Sequence, residues 1–286
     1  MRAIAAFVLM CFVLGVGAIE GNAKTHTILI LTYNVHHFEG RDGRVNPDRF
    51  VEILRGCRAD IIGLNEVYHP FFWRGGFWMP LWTLRKGLGY KVVFAPNLHV
   101  FKMHIFGFYG NALLTRFRVR RWTRYALPRN PSGGRKYIEP RGLLEVELDI
   151  DGYPITIFLT HLHAGEPKEL RVAQVEVIIE KMRKCNTPHI LMGDFNDLSP
   201  LDPEAPPARS DAIARILREG YVDAFRYLNS HELGNTFPTH RPIKRVDFIF
   251  LSPDLVPRLR SAGVLHTPLT AIASDHYPVW AELEIR

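Results

Sequence analysis

Apolar, β-rich runs in this chain end, one after another, in an acid, an amide or an imidazole. "TILILTYNV" closes on Asn34, "ADIIGLNEV" on Glu66, "YPITIFLTHLH" on His161 and His163, and "PHILMGDFN" on Asp194 and Asn196. Asp247 interrupts "RVDFIFLS", and Asp275 and His276 open the closing strand, "YPVWAELEI". Each has an ordinary explanation taken singly, because Asn and Asp cap turns at strand ends. A histidine beside an apolar strand is more often a hydrogen-bonded structural residue than a catalyst. Together they break the rule that carboxylates stay out of the interior unless paired or metal-bound. Strands that converge on one edge would turn these residues into one acidic pocket with two or more histidines.

The runs also limit the fold. "TILILTYNV", "ADIIGLNEV", "GNALLTR", "RGLLEVELDI" and the strands above outnumber the helical segments. Asn46 and Pro47 mark a helix start before "DRFVEILRGC", with Phe50, Leu54 and Cys57 on one face. A second helix is expected from Pro167 to about Lys184, and a third in "SDAIARILREG", closed by Gly220. Helices between only some strand pairs imply an α/β sandwich of sheets flanked by helices, not an all-parallel sheet. The chain has 286 residues and no repeat or linker beyond the short Pro-rich stretch 198–210. One domain is expected from about Lys24 to Arg286.

The N-terminus, "MRAIAAFVLMCFVLGVGAIEGNAK", places one Arg before an apolar run that ends in small residues. This is the pattern of an export signal over residues 1–23, with an uncleaved membrane anchor as the second reading. The protein is therefore expected to be secreted or periplasmic, or membrane-anchored if the segment stays. Cys57 and Cys185 remain beyond it, fit no zinc spacing, and are expected as two buried thiols. The net charge of +7 favours anionic partners such as nucleic acid, phospholipid head groups or other phosphates.

Carboxylates and amide oxygens are hard ligands suited to Mg²⁺ or Mn²⁺. A carboxylate near such an ion orients and deprotonates water. An amide such as Asn196 donates to a phosphoryl oxygen without adding repulsion, and a histidine kept protonated by a carboxylate stabilises charge on phosphate oxygens. The set describes metal-assisted attack of water on a phosphate ester. A zinc hydrolase is disfavoured, since neither HExxH nor a Cys cluster is present.

With "YNVHHF" (33–38), "ADIIGLNEV" (59–67), "GNALLTR" (110–116), "THLH" (160–163), "GDFN" (193–196), "RVDFIF" (245–250) and "SDHYPV" (274–279) in this order, the chain resembles the endonuclease/exonuclease/phosphatase superfamily. That group includes deoxyribonuclease-like nucleases, neutral sphingomyelinases and inositol-polyphosphate phosphatases. The resemblance implies a four-layer α/β sandwich, two mixed β-sheets packed face to face and flanked by helices, with the site at one edge of both. It implies Glu66 as the principal metal ligand with Asn34 beside it, and Asp194 as the group that orients or activates water. Asn196 would hold a phosphoryl oxygen and His161 would stabilise the transition state. His276 would pair with Asp247 and contact the phosphate, and Asp275 would be a further metal or water contact. For contact with substrate the candidates are Asn111, Tyr109 and Arg141, with Asn111 preferred over Tyr109. A structural salt bridge is the alternative for Arg141. Asn65 stands where many members carry Gln, a change expected to be harmless.

Three stretches bear on the substrate. "TRFRVRRWTRYALPRNPSGGRK" (115–136) is basic with interleaved aromatics and would track nucleic acid, although a solvated edge strand is the preferred reading. "YHPFFWRGGFWMPLW" (68–82) is too aromatic for an ordinary loop and suits contact with a membrane surface; a satellite core under a long insertion is the alternative. "FAPNLHVFKMHIFGFYG" (94–110) adds His99 and His104 at the rim. The balance favours a phospholipid or sphingomyelin-like phosphodiester, with a secreted nuclease acting on DNA or RNA as the alternative and a non-catalytic binding module behind both.

Overall fold

The computed structural model describes residues 26–73, 76–102, 105–129, 137–203 and 211–285. The N-terminal segment 1–23, His104, and parts of the basic and Pro-rich stretches lie outside these residues. In chain order the strands begin with β1 (His26–Asn34), β2 (Ile61–Trp73), β3 (Gly76–Trp78), β4 (Lys91–Lys102) and β5 (Ile105–Thr115). Then come β6 (Arg118–Ala126), β7 (Gly142–Ile150), β8 (Tyr153–His161) and β9 (His189–Asp194). The last are β10 (Val222–Asp223), β11 (Asp247–Leu251), β12 (Leu259–Val264) and β13 (Val279–Ile285). Between them run α1 (Pro47–Cys57), α2 (Pro80–Leu88), α3 (Glu169–Arg183), α4 (Ala212–Arg218), α5 (Ala224–Leu228) and α6 (Thr270–Ala273).

The strands form a seven-stranded sheet, β12-β13-β1-β2-β5-β4 with β3 on β2, and a six-stranded sheet, β10-β11-β9-β8-β7-β6. Both are mixed: β1 runs parallel to β2, β8 runs parallel to β9, and their other pairings are antiparallel. Alternate residues of each run go to opposite faces. Ile28, Ile30, Ile61, Leu159, Ile190 and Met192 fill the space between the sheets. Leu31, Tyr33, Ile62 and Leu64 pack outward with Phe50, Leu54, Leu81 and Leu84 of α1 and α2. Phe158, Leu191 and Phe250 pack outward with Val175, Ile178 and Ile213 of α3 and α4. Both faces of each sheet are therefore covered, which is why the strands read as continuous apolar runs. The result is the four-layer α/β sandwich.

Helix α1 begins as expected: the Asn46 side chain accepts from the Arg49 amide at 3.1 Å, and Pro47 occupies the first turn. The stretch 68–82 departs from the loop expected there. Strand β2 continues to Trp73, β3 folds back on it, and Pro80 starts α2, whose Leu81 and Leu84 are buried. The aromatic side chains obscured strand pairing that was already under way in β2. Stretch 118–126 is the edge strand β6, with Arg120 on Asp149 at 3.0 Å and Arg121 on Glu147 at 2.7 Å across β7. Cys57 and Cys185 are free and half-buried rather than fully buried. No helix among the described residues is long and apolar enough to cross a membrane.

Candidate active site

Asn34 at the end of β1 faces Asn65 of β2 in register. A bulge then separates Leu64 from Val67, and Glu66 within it takes a left-handed backbone, φ +58°. Such a backbone is uncommon outside glycine and costs on the order of 1–3 kcal/mol, so it persists where the surroundings fix it. The bulge lets neighbouring side chains serve one site. Asn65 donates to the Thr160 carbonyl at 2.9 Å and to Asn111 Oδ1 at 3.0 Å, and its own Oδ1 accepts from the Asp194 amide at 2.9 Å. Asn65 thus fastens the first sheet to the catalytic end of the second.

On the second sheet, Gly193 holds φ +138°, and a Cβ there would lie 1.9 Å from the Thr160 carbonyl oxygen. Only glycine fits this close approach of β9 to β8. Asp194 is paired with Asp247 of β11. Asn196 follows in a left-handed conformation, φ +48°, with its amide held by Asp194 Oδ1 at 2.9 Å. The two sheets thereby bring Glu66, His161, Asp194, Asn196, Asp275, His276 and Arg141 to the wall of one cavity of about 470 Å³.

Asn34 Nδ2 donates to Glu66 Oε1 and to Asp194 Oδ2, both at 3.0 Å, while its Oδ1 accepts from the His36 amide at 3.1 Å. Asn34 therefore presents its nitrogen to the carboxylates. To act as an oxygen ligand it would have to turn over and give up the His36 bond. His276 Nδ1 donates to Asp247 Oδ2 at 2.8 Å, and its Nε2 lies 3.7 Å from Asp194 Oδ2. Burial opposes a charge on His276, but the Asp247 and Asp194 carboxylates outweigh it and push its pKa up to about 10. The same burial pushes the Asp194 carboxyl up to about 7, against the pull of His276. Glu66 is also desolvated, yet His37 and the Asn34 amide hold it below its ordinary value.

Arg141 Nη1 approaches His161 Nδ1 at 2.8 Å. A guanidinium only donates, so Nδ1 accepts and the His161 proton resides on Nε2, which faces Asp194 Oδ2 at 3.4 Å. Burial and the Arg141 charge hold the His161 pKa well below its ordinary value, keeping the ring neutral. Asn196 Nδ2 lies 3.0 Å from His161 Nε2 and donates to the Leu162 carbonyl at 3.2 Å. Arg141 also pairs with Glu139 at 2.8 Å. The salt bridge and the place on the cavity wall, posed as alternatives for it, coexist.

Asn111 and Tyr109 stand behind the wall. The Asn111 amide is used at both ends, by Asn65 and by the Gly142 carbonyl at 3.1 Å, and the Tyr109 hydroxyl accepts from Arg141 at 3.3 Å. Both are buried and support Asn65 and Arg141 from the rear. Asp197 accepts from the amide of Ile213 at 3.4 Å, early in α4. His99 packs on Phe108 with ring centroids 4.7 Å apart.

Residues not singled out from the sequence complete the site. His37 Nε2 lies 3.3 Å from Glu66 Oε2, on a left-handed backbone of φ +57°. The second His of "YNVHHF" was its only sequence signal. Phe237 packs at a tilt on His276, centroids 4.7 Å apart, and Lys168, Arg171 and Lys244 add positive charge to the cavity wall. The last four come from segments with no local motif.

The donor set fits a divalent cation. Carboxylate oxygens of Glu66 and Asp194 lie within 4.8 Å of one another, and burial raises the Asp194 pKa, a cost that a bound cation would offset. Carboxylate oxygens of this kind suit a hard divalent cation.

Two sheets that place carboxylates, amides and imidazoles on one cavity at their common edge define a hydrolase of phosphate esters. The chain belongs to the Endonuclease/Exonuclease/phosphatase family, whose model matches residues 31–276. Members are divalent-metal-dependent hydrolases acting on phosphoester bonds, and this protein is an enzyme of that kind. Solved structures share the fold. An endonuclease/exonuclease/phosphatase from Beutenbergia cavernae DSM 12333 is 20% identical with TM-score 0.71, covering 91% of this chain and 72% of that one. The human Nocturnin catalytic domain with bound sulfate anion is 20% identical with TM-score 0.67, covering 90% and 92%. A mannosyl-6-phosphatase from Bacteroides thetaiotaomicron VPI-5482 is 20% identical with TM-score 0.64, covering 90% and 99%. No match to the chain is found among curated proteins.

Proposed function

We propose that this protein hydrolyses a phosphodiester of the phospholipid or sphingomyelin head-group type, with Mg²⁺ or Mn²⁺. The observation that carries the chemistry is the Asp247–His276–Asp194 alignment, in which a protonated imidazole and a desolvated carboxyl face one cavity. Glu66 would hold the metal, which when bound polarises the phosphate and stabilises the leaving oxygen. Asp194 takes the proton of the attacking water. His276, fixed by Asp247, meets the charge that grows on the phosphoryl oxygens, and Asn196 and the Nε2–H of His161 donate to the same group. Asp275 lines the cavity and supplies a further contact for metal or water.

A lipid head group is favoured over nucleic acid because three of the arginines that suggested a nucleic-acid track are already committed. Arg120 and Arg121 are paired with Asp149 and Glu147, and Arg124 donates to the Pro96 carbonyl. The decisive experiment incubates the protein with sphingomyelin and phosphatidylcholine vesicles and, in parallel, supercoiled plasmid, with Mg²⁺ or with chelator. Metal-dependent release of phosphorylated head group with intact plasmid is expected. Nicked plasmid with intact lipid would replace this reading with the nuclease. The proposal includes export through residues 1–23, checked by N-terminal sequencing of the mature protein.

A further inference from the structure

Past the site the two sheets part company. In the six-stranded sheet β8 and β9 end at the catalytic residues His161 and Asp194. In the seven-stranded sheet β2 continues from Glu66 to Trp73, about 20 Å of extended chain. It stays paired with β5, which pairs with β4, and β3 adds on its other side. One wall of the site thus rises as a twisted sheet beyond the catalytic level.

The end of this wall is aromatic, and in register. Phe77 of β3 lies opposite Phe72 of β2, and Phe72 lies opposite Phe106 of β5. Directly paired residues project from the same face, so the three rings form one row across three strands. All three are exposed: Phe77 62%, Phe106 46% and Phe72 40%. Met79 and Trp82, at and just inside the start of α2, are also exposed. Single exposed apolar residues are ordinary, whereas a contiguous row of this kind marks a contact surface. On the site side the wall is lined by rings in tilted and edge-on contact: Phe71 lies 5.6 Å from Tyr68, and Tyr68 lies 4.9 Å from His37, the partner of Glu66.

We propose that the Phe77–Phe72–Phe106 row inserts into the head-group region of an anionic phospholipid bilayer and sets the cavity against that surface. The inference rests on the reading of the site as a lipid phosphodiesterase and names the partner that presents the substrate. Two observations select a bilayer as the occupant. The chain carries a net charge of +7, complementary to anionic lipid. Next to the row, Lys86 Nζ sits 5.1 Å from the centre of the exposed Trp82 ring, pairing an interfacial aromatic with a cation that reaches toward head groups.

The test compares the full-length protein with its Phe72→Ser/Phe77→Ser/Phe106→Ser variant. Both carry the same apolar N-terminus, so any difference belongs to the row. Flotation is measured with phosphatidylcholine vesicles and with vesicles containing phosphatidylglycerol; turnover of soluble bis(4-nitrophenyl) phosphate is measured alongside. The wild type is expected to float with the anionic vesicles, and the variant to lose about tenfold or more in vesicle affinity. Turnover of the soluble ester should be the same in both. Equal flotation of the two proteins, or none by the wild type, overturns the proposal and leaves the row to a protein partner. If the triple variant loses soluble turnover as well, Phe77→Ser alone, at the most exposed of the three positions, decides by the same comparison. Failure of the site reading looks different: the wild type then hydrolyses neither the soluble ester nor vesicle lipid, whatever it does in flotation.

Discussion

At the residue scale, the site depends on one buried carboxyl whose pKa burial raises and one imidazole that the Asp247 and Asp194 carboxylates keep charged. Asp194→Asn keeps the shape and the Asn65 bond to the backbone but removes the proposed base. It is expected to lower turnover by about a hundredfold or more, with thermal stability unchanged or higher because a desolvated acid is gone. His276→Asn should lose activity comparably, and near-normal rates in either variant would remove that residue from the proposed chemistry. Away from the site, the two thiols differ. Burial opposes ionisation of Cys185, but hydrogen bonds from His189, Thr187 and Thr156 outweigh it and bring the thiol down to about 7. Cys57 is pushed up to about 11 by burial. Iodoacetamide should therefore label Cys185 at neutral pH and spare Cys57. The rate should fall as pH drops through about 7, since the depressed pKa makes the thiolate the form lost on acidification. Peptide mapping across pH 5–9 reads both. Equal labelling of the two cysteines would contradict these environments.

At the element scale, strand ends with unusual backbone aim the groups of the candidate site. Gly193 is the most constrained. A methyl group there meets the Thr160 carbonyl at 1.9 Å, on a backbone of φ +138°. Gly193→Ala should cost about 3 kcal/mol in denaturant unfolding and reduce activity with it, because Asp194 is the next residue. A neutral effect would mean that β8 and β9 can separate without loss. The elements were unevenly legible in the sequence. Helix α1 was readable because Asn46 and Pro47 are local signals that act within one turn. The strands β1, β8 and β9 were readable because an apolar run covered on both faces has few other homes. The β2–β3 hairpin and α2 were not, because exposed aromatics hid the strand periodicity and α2 has only nine residues. The bond from the Ile213 amide to Asp197 spans sixteen positions in the chain, beyond any local turn rule.

At the scale of the whole molecule, the site is a seam. Asn34 and Glu66 come from one sheet, and His161, Asp194 and Asp247 come from the other. A divalent cation bound there joins the two sheets and should stabilise the entire fold. At free Mg²⁺ or Mn²⁺ one hundred times above its dissociation constant the gain is about 2.7 kcal/mol, which for a chain of this size raises Tm by about 4–5 °C. Chelator should reverse the shift, and Glu66→Gln should abolish it. A Tm indifferent to metal in the wild type would argue against the donor set described for the seam.

The sequence by itself determined the layers and most of the chemistry. Runs that bury both faces had to be sheets between helices, and polar residues at their ends had to be compensated by each other or by a metal. It also held the family motifs, whose order spans nearly the whole chain. Only the tertiary structure decided how these residues serve one another. Asn65 became the tie between sheets, and Asn111 and Tyr109 became supports rather than walls. Arg141 became the group that fixes the His161 tautomer, and His37 joined Glu66. Phe237, Lys168, Arg171 and Lys244 reached the cavity from segments without a motif. The physical reason is the same throughout. Burial and strand periodicity are local and leave a record in the sequence, whereas hydrogen bonds and ion pairs between distant segments exist only after packing has set their distances.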